Sequence, residues 1–221
     1  MIDHPKDLNA ASPGRELSLR QTIAADLAAV ASIRGVERLS VPAALSALAL
    51  PGSCAVLMFR LAAASRRAGL RPLGRLLYFL NVVWFGAAMH PAARVGPGLV
   101  IAHPVGIGWG EFFTCGRNAT MTAGVRFGGS GSDEPDRQGH PTLGDDVYML
   151  DGAKAMGPVT IGDRAIVAAN TLVLKDVPPD AVVVGQPARV VKMRSERYER
   201  ATAADTAAAE LAELDTTTSY A

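Results

Sequence analysis

Val95-Gly96-Pro97-Gly98-Leu99-Val100-Ile101-Ala102 opens, and Val167-Ala168-Ala169-Asn170-Thr171-Leu172-Val173 closes, a stretch in which an aliphatic or small residue returns at every sixth position. The first series is Val95, Ile101, Ile107, Phe113, Ala119 and Val125; the second is Leu143, Met149, Ala155, Ile161, Val167 and Val173. A helix needs apolar returns at three or four residues and a half-buried strand at two, so a sustained step of six fits neither. It fits a chain winding into a triangular β-solenoid, one hexapeptide per wall, with the repeated residue pointing inward. Six is also three turns of a period-two strand, which a long hairpin shows. Two further registers argue against the hairpin. Gly96, Ala102, Gly108, Gly144, Gly162 and Ala168 follow the inward residue, where a tight corner has little room. Four positions after it stand Val105, Ala123, Val147, Ala153, Val159, Ala165 and Thr171, all small or short and branched.

The 221 residues are 49% hydrophobic, ample for a buried core. Lys plus Arg is 22 and Asp plus Glu is 21, a net charge of +1, so charge supplies no reason to expect nucleic acid or an anionic membrane as partner. Cys54 and Cys115 lack metal-ligand spacing and follow no secretory signal, so free thiols in a reducing cytoplasm are expected.

The solenoid occupies 89–193, interrupted by a loop at 129–141, and an α-helical domain occupies 19–88. Residues 1–18 read as a disordered N-terminus and 194–221 as a C-terminal helix or tail, its helix over 195–214. Residues 39–59 carry no charge and are long enough to span a bilayer, but Pro51-Gly52 interrupts them. That break predicts two shorter helices, 41–50 and 53–68, and no membrane span. A further core helix is expected over 72–85, where Leu73, Leu76, Leu77, Leu80, Val83 and Trp84 recur at helical spacing.

Chemistry is expected where the repeat is violated. The segment from Phe127-Gly128-Gly129 to His140-Pro141 breaks the period, and a solenoid gains nothing from a polar excursion unless it covers or builds a site. Of four histidines, His90, His103 and His140 fall on or beside the solenoid, which gathers the groups that move protons near neutral pH.

His90-Pro91-Ala92-Ala93, Gly98 through Glu111, Gly128-Gly129-Ser130-Gly131, His140-Pro141, Gly152-Ala153-Lys154 and the closing run from Val177-Pro178-Pro179 to Gly185-Gln186-Pro187 together resemble the serine O-acetyltransferases of the hexapeptide acyltransferase superfamily. The resemblance implies a mainly β fold, a left-handed parallel β-helix behind an α-helical N-terminal domain. It also implies a homotrimer, with pairing of two trimers left open, and acetyl-CoA as co-substrate with no tightly bound cofactor and no metal. On the matching positions, His103 is the general base, His140 lies at the acceptor pocket, Glu111 holds His140, and Gly128-Gly129 stabilise the oxyanion. Asp151, Gly152 and Ala169 fall on the coenzyme A groove, with Lys154, Arg189 and Lys192 available to phosphates. His90 is assigned to anchoring the first coil, with a place at the trimer interface as the alternative.

Four positions depart from the family pattern, the first being Asp151, where a small residue is usual and the contact is through the backbone. Ala88 stands where an aspartate orients the catalytic histidine, so a backbone carbonyl or a loop carboxylate such as Asp133 or Asp136 must replace it. Ala102 and Gly139 stand where an aspartate and an arginine hold free serine, contacts worth about 1.5–3 kcal/mol each. The expected activity is acetyl transfer to the hydroxyl of serine or a serine-like small molecule, with a wider and less charged pocket. O- or N-acetylation of a sugar or specialised metabolite is the enzymatic alternative. A non-catalytic assembly protein is the other, although the terminal Ser219-Tyr220-Ala221 lacks the isoleucine by which such enzymes dock a partner.

Overall fold

Ser18 starts the first helix by accepting from the Gln21 N–H at 3.4 Å, while the Gln21 side chain accepts from the Ser18 N–H at 3.0 Å, a reciprocal cap. The computed structural model describes residues 17–36, 39–129 and 139–194. Among the described residues, helices α1 (Leu19–Ile33), α2 (Val41–Leu48), α3 (Pro51–Arg67) and α4 (Arg71–Phe85) precede fifteen short strands. The break between the expected helices at 41–50 and 53–68 falls two residues earlier than predicted. Ala49 and Leu50 leave α2, and Pro51 serves as the first residue of α3, where its missing N–H costs nothing. The pair is bent by 93°, and among the described residues no single helix is long and apolar enough to cross a membrane. The apolar side chains of α3 are instead used for packing: Ala55, Val56 and Phe59 are buried in the core, Phe59 edge-on to Trp109 at 5.4 Å. Gly52 lets α3 lie against the Ile101 carbonyl, which any side chain there would overlap.

Gly86, at φ 64°, ends α4 and turns the chain into a three-walled parallel coil. The first wall stacks β1 (Ala88–Met89), β4 (Gly108–Trp109), β7 (Arg126–Gly128), β10 (Lys154–Met156) and β13 (Leu172–Val173). The second stacks β2 (Arg94–Val95), β5 (Thr114–Cys115), β8 (Thr142–Leu143) and β11 (Thr160–Ile161). The third stacks β3 (Val100–Ile101), β6 (Thr120–Met121), β9 (Tyr148–Met149), β12 (Ile166–Val167) and β14 (Ala181–Val184), and β15 (Arg189–Met193) closes it antiparallel. The turn from first to second wall is called the front edge below, and the turn from third wall to the next first wall the rear edge.

The register corrects one detail of the sequence reading. Regular coils advance eighteen positions, as from Lys154 to Leu172, but Ala88 pairs with Gly108, twenty positions on. Two extra residues therefore lie on the rear edge between β3 and β4, beside His103. Past them the inward strand residues are Trp109, Cys115, Met121 and Phe127, while Ile107, Phe113, Ala119 and Val125 are buried two positions earlier. Gly108, read as a corner residue, is thereby an outward strand residue, and Val105 is left 67% exposed. The second series, from Leu143 to Val173, keeps the predicted register.

Cys54 and Cys115 are free thiols. Burial pushes the Cys115 thiol up to about 12, with Asp145 adding to the effect and Arg60 opposing it.

A buried ion pair joins the helices to the coil. Arg60 on α3 donates from Nε and Nη2 to the Asp26 carboxylate of α1 at 2.9 and 3.1 Å, and from Nη1 and Nη2 to the carbonyls of Val95 and Gly96 at 2.6 Å. Asp26 also accepts from the Leu99 N–H at 2.9 Å. Burial pushes the Asp26 carboxyl up, against the pull of Arg60 and of the Leu99 and Gly98 N–H groups. The sequence reading passed over both residues, although each is an isolated charge in an apolar stretch.

Candidate active site

The front edge gathers His90, Glu111, Gly128, Gly129 and His140, because β1, β4 and β7 all end there and His140 leads into β8. His140 is wedged between glycines. A Cβ at Gly129 would lie 3.1 Å from its Cε1 and Nε2, and one at Gly110 would lie 3.8 Å from Nε2. Phe112 meets the ring edge-on at 5.1 Å, and Nδ1 is buried with no hydrogen-bond partner among the described residues. Gly128 has a different neighbour: a Cβ there would stand 2.7 Å from Met156 Sδ, so that flexible side chain would have to shift. The sequence reading did not single out Gly110 or Phe112, the two neighbours that share this packing.

Glu111 was expected to hold His140. No hydrogen bond joins them among the described residues. The His90 ring packs against Tyr78 of α4 at 6.0 Å, and its Nδ1 accepts from the Ala92 N–H at 3.3 Å, the anchoring place expected for it. Burial holds the His90 imidazole below its ordinary 6.5, with Glu111 pulling it up and Arg66 pushing it down. The unfolded chain therefore binds the extra proton first, so stability falls as pH drops below about 6.5 and levels off below the folded value. His90→Gln is expected to lose less of its urea midpoint than the parent between about pH 7.5 and about pH 5; equal losses would refute this assignment.

His103 stands elsewhere. It lies exposed on the rear edge, in the two-residue insertion, where the Ala102 N–H donates to the Met121 carbonyl at 3.0 Å and the Gly106 N–H to the Gly86 carbonyl at 3.0 Å. Among the described residues no hydrogen bond reaches its side chain, and Asp133 and Asp136, the loop carboxylates considered as its partners, lie outside them. Asp151, Gly152 and Ala169 continue the same rear edge in later coils. The edge is ruled by backbone bonds: Gly124 N–H to the Val105 carbonyl at 2.9 Å, Gly152 N–H to Ala123 at 2.8 Å, Asn170 N–H to Asp151 at 2.7 Å. Left-handed residues Gly106, Gly124, Gly152 and Asn170 recur at its turns, so it presents a shallow track with little side chain. The Asp151 carboxylate accepts from the Ala123 N–H at 2.9 Å, which accounts for an acid in a track of small residues. Lys154 begins β10 beside the track and Arg189 begins β15 at its far end; both are exposed. Lys192 lies on β15 opposite Val182.

One chain thus holds His103 with the expected coenzyme groove on its rear edge, and His140 with the glycine pair on its front edge. The first wall separates them.

Comparison with known proteins agrees with this architecture. No protein-family model matches the chain. A serine acetyltransferase of Bacillus pumilus is 37% identical over 153 residues, 69% of this chain and 70% of the relative. Soybean serine acetyltransferase, solved with serine, superposes with a TM-score of 0.70 at 35% identity, covering 79% of this chain and 70% of that one. A serine acetyltransferase solved with CoA superposes at 0.69 with 29% identity, covering 79% and 70%. The coil shares the left-handed β-helix of these structures, the winding that the resemblance implied.

Proposed function

The chain belongs to the serine acetyltransferase family, and from that membership we propose that it transfers the acetyl group of acetyl-CoA directly to the hydroxyl of serine or a serine-like small molecule. The observation that carries the reading is the rear edge, where His103 heads the same track that bears Asp151, Gly152 and Ala169. A thioester laid along that track has its reactive end at an exposed imidazole.

A neutral alcohol is a weak nucleophile, so its proton must leave as oxygen attacks the thioester carbonyl, and imidazole is suited to that transfer near neutral pH. His103 takes this proton. The C–O bond forms, the carbonyl oxygen becomes an oxyanion, and backbone N–H groups at Gly128-Gly129 stabilise it where no side chain blocks approach. Collapse expels the coenzyme A sulfur, which regains a proton from the His103 imidazolium. His140 borders the acceptor, with Glu111 on the same edge. Lys154 and Arg189 meet the phosphates of the coenzyme.

Front and rear edges come together only across a boundary between chains, and a homotrimer supplies three such boundaries. Supporting it, α4 exposes Leu73, Leu76, Phe79, Val83 and Trp84 along one side, a stripe too apolar to leave in water. Assembly and a cytoplasmic location complete the proposal.

Mixed assembly tests it. His103→Ala and His140→Ala chains should each release little thiol from acetyl-CoA in the presence of serine. Co-expressed, they should recover about one quarter of parent activity, the share of boundaries that receive both intact histidines in random trimers. No recovery, with trimers present, would sink the shared site; no thiol release by the parent with any hydroxyl acceptor would sink the enzyme.

A further inference from the structure

The outward residues of the first wall, read up the coil, are Ala88, Gly108, Arg126, Lys154 and Leu172, in one register. Gly108, Arg126, Lys154 and Leu172 each follow a turn of the rear edge, and Ala88 follows the end of α4, where the Gly86 carbonyl accepts from the Gly106 N–H of that edge, so this column borders the track headed by His103. Arg126 and Lys154 are direct partners in the ladder, both exposed, and neither forms an ion pair among the described residues. Two like charges on adjacent rungs repel. The Arg126 guanidinium extends away from Lys154 over β4, its Nη1 3.5 Å from where a Cβ on Gly108 would stand, and that same position lies 3.6 Å from the Ala88 methyl. Gly108 is therefore the residue that admits the guanidinium, and Ala88 the one that leaves the space beyond it open. A carboxylate at position 88 would have neutralised Arg126; here the wall carries a net positive, unpaired fork one strand from His103.

Resting on the function proposed above, we infer that Arg126 is a specificity-determining residue that holds a carboxylate of the acceptor. A planar guanidinium with two parallel donors matches a carboxylate in geometry as well as charge. The same column offers no acid to an ammonium: its members are Ala88, Gly108, Arg126, Lys154 and Leu172, and Ala102 precedes His103 on the adjoining turn. The acceptor class is accordingly a hydroxy acid, in which an amino group is not read.

Steady-state thiol release separates the possibilities, with serine, 3-hydroxypropanoate, which lacks the ammonium, and serine amide, which lacks the carboxylate. The parent should use 3-hydroxypropanoate within a few-fold of serine and serine amide poorly. Arg126→Ala should raise KM for both carboxylates roughly 10- to 100-fold while leaving KM for acetyl-CoA and the rate with serine amide unchanged. Arg126→Lys should recover part of the loss. Unchanged KM for the carboxylates, or a rise confined to acetyl-CoA, overturns the inference while the enzyme reading stands. Should the parent release no thiol with any acceptor, the enzyme reading fails by itself. Calorimetric titration of 3-hydroxypropanoate into the coenzyme A-saturated protein then decides the role of Arg126, with equal affinity in parent and Arg126→Ala, or binding in neither, overturning it. Arg126 is exposed, so the variant should melt with the parent.

Discussion

His103→Ala is expected to lower kcat by roughly 10²- to 10⁴-fold, the usual range for removing a general base, with KM for acetyl-CoA little changed. The expectation follows from placement. His103 is exposed at the head of the rear edge and makes no described hydrogen bond, so its loss costs the fold little. An alanine variant whose kcat stays within a few-fold of the parent would remove His103 from the chemistry.

The second large effect lies in stability. Asp26 and Arg60 have side chains 6% and 7% exposed and tie α1 and α3 to the carbonyls of the first coil. Removing one partner strands the other charge, along with the Leu99 N–H or the Val95 and Gly96 carbonyls, away from water. Arg60→Met or Asp26→Ala should each cost about 3–5 kcal/mol, read as a fall in the urea midpoint. Asp26→Leu combined with Arg60→Met should be less unstable than the two losses summed, because neither charge is then left alone. Additive losses would show that the pair does not act as a unit. The position of the pair links stability to function: it fixes the helical domain on the coil that carries His90 and leads into His103.

Much of the coil, and the break in it that drew attention to the candidate site, could be read from residues alone. The Gly-Gly loop ending in His140 stood out because it broke a period, and the inward series from Leu143 to Val173 holds in the structure residue for residue. The two-residue insertion beside His103 escaped notice for a physical reason. Corner residues behind the strands are buried as well, so Ile107, Phe113, Ala119 and Val125 continue the apolar step while the strand register moves by two. A pattern of burial cannot tell which of two inward columns it follows. Hydrogen-bonded pairing can, and Ala88 opposite Gly108 does so. The expected hold of Glu111 on His140 rested on matching positions; no hydrogen bond joins the two among the described residues, and His140 is packed by Gly110, Phe112 and Gly129.

Repeat length, corner glycines and inward aliphatic residues are local in the chain, so the coil, the helices before it and the candidate histidines were all legible as a string. Which edge each histidine occupies is not local. It depends on the count of residues around each turn, and that count places His103 and His140 at opposite borders of one wall. The Asp26–Arg60 tie, the bend of α3 onto the coil and the reach of Arg126 over Gly108 likewise arise between residues distant in sequence. Only packing in three dimensions brings such groups within hydrogen-bonding range, and no pattern along the chain encodes that distance.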